Sequence, residues 1–192
     1  MQSDGKLVVV GSYRATTDGS AALARYLGDP PLLAASLPTR PRSTNLNSAA
    51  AQPVLAAALA RWTAAGFTSA LGGIQLQVAN LGGRTLGIAS GNTITLDDNA
   101  AGHGWFVDPT PWDDSEFTTR GNQGEQNRMD LLTVLTHEIG HVLGYEHDQT
   151  GVMEDTLAAG TRQMPGADHQ TDWFAAIDLL FADSPLSKRR RY

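Results

Sequence analysis

His137-Glu138-Ile139-Gly140-His141-Val142-Leu143-Gly144-Tyr145-Glu146-His147 is the stretch on which the reading of this chain turns. Apolar residues recur at helical spacing from about Met129 to Leu143, which predicts a helix there, with Asn127 as its N-cap and Asp130 in its first turn. Two histidines four apart then lie on one helical face, close enough to share an ion. Gly144 accepts the left-handed backbone that ends such a helix and that a side chain would resist, so the chain doubles back and offers His147 as a third nitrogen. Three neutral imidazoles leave one tetrahedral position of Zn2+ open, as a catalytic site does and a closed structural site does not. An ion held this way brings the pKa of its water to roughly 7. Glu138, between the first two ligands, is placed to take that proton as general base and to hand it to a departing amine. The blander alternative has these histidines capping or hydrogen-bonding on a surface helix. Composition alone gives the full pattern only roughly once in a hundred thousand such chains, which disfavours it.

Upstream, Pro53 reads as the first-turn proline of a second long helix over Val54 to Ala65, with Val54, Leu55, Ala58, Leu59 and Trp62 on one face and Gly66 as its stop. Ile74 to Leu81 alternates apolar and polar residues, a strand with one wet face. Gly82-Gly83 makes a turn, and Thr85–Ala89 and Asn92–Leu96 are two further short strands. Asp97 to Phe117 is rich in Asp, Gly, Pro and Trp and reads as a long functional loop with a short strand at Gly104–Val107. Downstream, Asp172 to Ala182 places Trp173, Ala176, Ile177 and Leu180 on one face of a C-terminal helix. Two-periodic runs followed by helices give an α+β class.

At the N-terminus, Gly5–Tyr13 is a β-branched strand that Ala21–Leu27 can pair with as a hairpin across Thr16–Ser20. Asp29 to Asn47 holds Pro30, Pro31, Pro38 and Pro41 and reads as an extended linker. The expected organisation is therefore a partial hairpin unit over 1–28, a linker over 29–47, the main domain over 48–183 and a basic tail over 184–192.

Composition closes off other classes. The chain has 192 residues, a formal charge of −6 and no cysteine, so disulfide scaffolds, thiolate metal sites and thiol nucleophiles are excluded. Net acidity argues against nucleic acid as a partner, with Lys188–Arg191 as the one basic run. No stretch approaches the ~18 consecutive apolar residues of a spanning helix, so membrane insertion is not expected. Met1-Gln2-Ser3-Asp4 lacks the basic start of a signal peptide, so the expectation is a chain that stays inside or is cut from a longer precursor.

The extended histidine pattern resembles the signature of the metzincin metallopeptidases, most closely a bacterial matrixin of peptidase family M10. The resemblance covers Ser48 to Asp183. It implies a small mixed twisted sheet, a zinc-site helix, a second long helix and a C-terminal helix. An antiparallel edge strand would pair with the extended substrate. Gly151-Val152-Met153 follows His147 at the distance of a Met-turn, which makes Met153 the packing floor beneath the ligand imidazoles. Asp155 stands where some metzincins carry an additional tyrosine ligand, so no further protein ligand is carried over. Only His103 and nearby aspartates are available for the second, structural zinc of other matrixins. The N-terminal wording, Gln2-Ser3-Asp4-Gly5-Lys6 through Val10-Gly11 to Leu23-Ala24-Arg25-Tyr26, resembles one unit of the delta-60 repeats of large bacterial surface and secreted proteins.

The implied activity is a zinc-dependent endopeptidase with one catalytic Zn2+ on His137, His141 and His147, acting on extended polypeptides, monomeric, and extracellular or on the cell surface. Two rivals stand beside it: a catalytically silent zinc-holding module of an adhesin-like exoprotein, and a protease that processes its own precursor near the proline-rich linker. Asp97, Asp98, Asn99, Asp108, Asp113, Asp114 and Glu116 offer oxygens for Ca2+, against a solvated acidic loop with turn-forming Asp and Asn. Asp148 reads either as an acceptor that orients an imidazole or as a surface turn. Trp105 and Phe106 read as core bracing, and His169 as solvent-facing. The residues between Thr156 and Asp172 are expected to form part of the specificity pocket.

Overall fold

A computed structural model describes residues 7–13, 20–26, 30–67 and 71–165. The expected helix over 172–182, His169 and the basic tail lie outside these residues. The chain divides into two units, residues 1–30 and 31–192. In the first, β1 (Leu7–Tyr13) pairs antiparallel with β2 (Ser20–Tyr26), with Leu7 opposite Tyr26 and Tyr13 opposite Ser20.

The second unit holds a five-stranded mixed sheet in the order β4-β6-β5-β3-β9. Its strands are β3 (Leu32–Ala34), β4 (Gln75–Ala79), β5 (Thr85–Ser90), β6 (Thr93–Asp97) and β9 (Thr156–Leu157). β4 runs parallel to β6, β5 is antiparallel to both β6 and β3, and β3 runs parallel to β9. A separate parallel pair joins β7 (Trp105–Phe106) to β8 (Met129–Asp130). The sheet buries Leu32, Leu86, Ile94 and Leu96 against two helices, α1 (Ser48–Ala64) and α3 (Leu131–Val142). Trp62 of α1 is fully buried there, and its indole N–H donates to the Thr136 carbonyl of α3 at 2.8 Å. A single turn, α2 (Ser115–Thr118), interrupts the long loop.

Three boundaries differ from the sequence reading, each for a physical reason. The proline-rich segment over 29–47 is not wholly a linker: Leu32-Leu33-Ala34 is apolar and finds two strand partners, so it becomes β3. α1 begins five residues before Pro53, because Asn47 caps it by accepting from the Ala49 amide at 2.8 Å and three alanines follow with high helix propensity. Pro53 is therefore inside the helix, on its exposed side. Asn127 does not cap α3. It sits at φ 60°, and the chain stays extended through β8 until Asp130, whose carboxylate accepts from the Thr133 amide at 3.1 Å.

Candidate metal centre

α3 is buried along nearly its whole length, including His137, Glu138 and His141. Such a helix cannot lie on a surface; it is held between α1 and the sheet, which fixes the direction in which its polar residues point. At its end the Gly144 amide donates to the His141 carbonyl at 2.8 Å and Gly144 takes φ 92°, the left-handed conformation expected of it. The returning chain brings His147 back over the helix.

The three imidazoles converge. His141 Nε2 lies 3.0 Å from His137 Nε2, which lies 3.2 Å from His147 Nε2. Among the described residues, this is the one group of three or more His, Asp or Glu side chains able to reach a common ion. The opposite ring nitrogens settle the tautomers. His137 Nδ1 is 2.7 Å from the Val152 carbonyl and His141 Nδ1 is 2.8 Å from the Tyr145 carbonyl. A carbonyl only accepts, so both Nδ1 atoms carry the proton and both Nε2 atoms present lone pairs. Burial, then His141 and His147, push the His137 pKa down from 6.5 to about 3 against the opposing pull of the Val152 carbonyl. Burial and then His141 lower His147 as well, with Asp155 opposing.

Both orienting carbonyls belong to the turns expected at Gly144 and Gly151, although nothing in the sequence assigns a carbonyl this part. Val152 and Met153 lie in the 3-10 turn Gly151–Met153, and Met153 is buried directly under Gly140. A methyl group on Gly140 would meet Met153 Sδ, and would also come within 3.0 Å of Met153 Cε and 3.2 Å of Trp62 Cζ2. The helix glycine is thus what lets the floor of the site approach. Tyr145 is held by its ring, stacked on Trp62 with centroids 5.3 Å apart and with Phe67 edge-on at 5.7 Å, so α1 indirectly sets the His141 ring. Asp148 takes no part: it is exposed, and its carboxylate accepts from the next amide, that of Gln149, at 2.6 Å. The orienting groups are backbone carbonyls instead.

Glu138 is fully buried and points at β5. A Cβ on Gly87 would lie 2.8 Å from Glu138 Oε1, so the strand gives way to the carboxylate only by carrying a glycine there. The resemblance implied that an antiparallel strand at the site would be an open edge. β5 is not open, because β3 is paired along its outer side.

Most carboxylates of the acidic loop are spent on internal bonds, whereas Asp98 Oδ1 is buried without a hydrogen-bond partner. Asp97 accepts from the amides of Leu81, Asn99 and Ala101, which steadies a turn in which Ala100 and Ala101 are left-handed. Arg162, which nothing in its local sequence singles out, gathers two of the others, Asp108 and Asp114, together with Asp130 at the start of α3. It pairs with Asp108 at 2.7 Å, Asp130 at 2.9 Å and Asp114 at 3.0 Å. Burial alone would lower the Arg162 pKa, but hydrogen bonds from Asp130, Asp108 and Asp114 hold it above its ordinary value. Through Asp130 the segment after β9 is tied to the first turn of α3. His103 is buried away from the triad, with Nε2 2.8 Å from the Ser36 carbonyl. Trp105 and Phe106 brace the core as expected: the Trp105 indole donates to the Asp97 carbonyl at 2.8 Å and Phe106 packs edge-on to Phe117.

A family model described as Matrixin (Peptidase_M10) matches residues 39–181, about three quarters of the chain. The chain belongs to the matrixin family. No curated protein and no solved structure matches it. The mixed α+β sheet and the histidine triad are consistent with that family's fold. The donor chemistry of the matrixin domain also fits zinc: the Nε2 atoms of three imidazoles face one another at about 3 Å, with lone pairs on those of His137 and His141. That arrangement is repulsive until a cation lies among them.

Proposed function

We propose that the domain is a zinc-dependent endopeptidase in which His137, His141 and His147 hold one Zn2+ and Glu138 is the general base. The observation that carries the proposal is the triad itself, with three Nε2 atoms converging on one point and the far ring nitrogens of His137 and His141 locked by carbonyls. When bound there, zinc supplies a Lewis acid that acidifies water and polarises a peptide carbonyl. The protein supplies the rest. Glu138, immobile between α3 and Gly87, takes the proton from water and passes it to the nitrogen of the severed bond. Met153 packs beneath the ligand side of α3 at Gly140 and fixes its depth without ligating. Substrate is an extended polypeptide, recognised through strand pairing in the place beside β5 that β3 holds. An extracellular or cell-surface location is part of this proposal and rests on the family; no helix among the described residues is long and apolar enough to cross a membrane.

The test scores hydrolysis of casein and of the chain itself, with zinc, with chelator, and in Glu138→Ala. Chelator-sensitive cleavage that falls about 100-fold or more in the variant is expected, the size of a lost general base. If zinc-loaded protein, verified by elemental analysis, cuts neither casein nor itself, the module is catalytically silent and the proposal fails.

A further inference from the structure

On the endopeptidase reading just given, the site acts on an extended strand, and the structure already holds one in place. We propose that the chain's own Pro31–Ala35 segment is the substrate strand of this site and that Pro31–Leu32 is the bond it cuts.

The segment is bonded on both sides at once. The Leu33 amide donates to the Asp155 carbonyl at 3.0 Å, the Ala34 amide to the Arg84 carbonyl at 2.7 Å, and the Ala35 amide to the Leu157 carbonyl at 2.8 Å. Successive residues thus address β5 and β9 in alternation, as an extended peptide does when it lies between two strands. Both flanking strands are tied to the metal centre. β9 follows the turn whose Val152 carbonyl orients His137, and β5 carries Gly87 against Glu138.

The register then selects the bond. Leu32 stands opposite Gly87, and directly opposed residues of an antiparallel pair point to the same face of the sheet. That face is the one on which the Glu138 carboxylate sits, within 2.8 Å of where a Gly87 Cβ would be. The Leu32 side chain is 1% exposed, so an apolar pocket beside the general base is filled by a residue of the chain itself. Pairing stops at Leu32 because Pro31 and Pro30 have no amide hydrogen to continue it. The Pro31–Leu32 bond is therefore the junction at which the paired strand gives way to the prolines. The family match covers residues 39–181, so β3 lies ahead of the matched stretch.

In the reaction, the oxygen of water adds to the Pro31 carbonyl carbon while Glu138 takes a proton from it. The carbon–nitrogen bond to Leu32 breaks, and the proton passes to the Leu32 nitrogen. Water's second proton then moves from the new Pro31 carboxyl group to the freed amine, so Pro31 ends as a carboxylate and Leu32 as a new N-terminal ammonium. Leu32–Ala34 remain in the sheet, and residues 1–31 are released.

The full chain, prepared without metal, is given zinc at two protein concentrations tenfold apart and followed by intact mass and N-terminal sequencing, with casein digested in parallel. A product beginning at Leu32 is expected, with the same half-time at both concentrations and formation at least about 100-fold slower in Glu138→Ala. In metal-free protein, where no cleavage runs, hydrogen exchange at Leu33, Ala34 and Ala35 is expected to be at least tenfold slower than in the isolated peptide. Casein cut while Pro31–Leu32 stays intact overturns this inference and leaves the endopeptidase standing. A cut elsewhere, a half-time that shortens with concentration, or free-chain exchange at the three amides overturns it as well. Failure to cut either substrate overturns both proposals.

Discussion

Replacing Gly87 with alanine isolates the role of Glu138 from that of the metal. The added methyl group would sit 2.8 Å from Glu138 Oε1, 3.0 Å from Cγ and 3.1 Å from Cδ. Normal contact needs a few tenths of an ångström more at every one of these atoms. α3 is packed on all sides and cannot retreat, so the relief comes from the Glu138 side-chain torsions, which move the carboxylate by about half an ångström to one ångström. A 1 Å misplacement of a reacting group costs on the order of 100-fold, so a loss of about 10- to 100-fold in cleavage rate is expected. Stability should barely change. Alanine gains roughly 0.5–1 kcal/mol over glycine in a strand, and an off-rotamer glutamate costs roughly the same. The assay is the rate of cleavage together with zinc content by elemental analysis and a thermal melt. Full zinc occupancy and a melting temperature within a few degrees of the parent, with the rate reduced, is the expected triad of results. An unchanged rate would refute the placement of Glu138 as base, and loss of zinc would shift the effect to the ligands.

Other perturbations follow from the same geometry. Arg162→Ala leaves the buried Asp108 and Asp130 without their cation, and urea denaturation should show a loss of about 3–5 kcal/mol. Gly140→Ala drives a methyl group into Met153 and Trp62; a cost of roughly 1–3 kcal/mol and weaker zinc retention against a chelator are expected. In metal-free protein, His137 titrates near 3 when folded and near 6.5 when unfolded, so as pH falls the unfolded chain takes the proton first. Its contribution is complete above pH 6.5 and is lost progressively down to about pH 3. Urea midpoints in chelator should therefore drop between pH 7.5 and 5, by about 2 kcal/mol from this group. A midpoint that rises on acidification would contradict the neutral triad.

The residues of the proposed centre were the most legible. His137, Glu138, His141, Gly144 and His147 are local in sequence, and the helix and glycine turn that join them follow from periodicity and backbone sterics. The strands over 75–79, 85–90 and 93–97 were legible for the same reason, since alternation is a local signal. What could not be read was set by distant partners. Nothing near Arg162 says that three aspartates converge on it from 32 to 54 residues away. The carbonyls of Tyr145 and Val152 orient the ligands, yet a carbonyl is common to every residue and leaves no mark in a sequence. Asp130 shows how a long-range pairing moves a helix start, since β8 keeps the chain extended past Asn127. Leu32–Ala34 looked like linker because its prolines are conspicuous, whereas its role depends on two strands more than fifty residues downstream.

Asp130 carries a consequence for how this protein comes apart. One carboxylate closes the first turn of α3, accepts from the Thr133 amide and hydroxyl, and grips Arg162 from the far side of the cleft. Fraying of the helix and departure of the segment that follows β9 are therefore not separate events but a single opening. Hydrogen exchange at the Thr133 amide and at the Gln163 amide, which donates to the Thr133 hydroxyl, would therefore report one shared opening free energy.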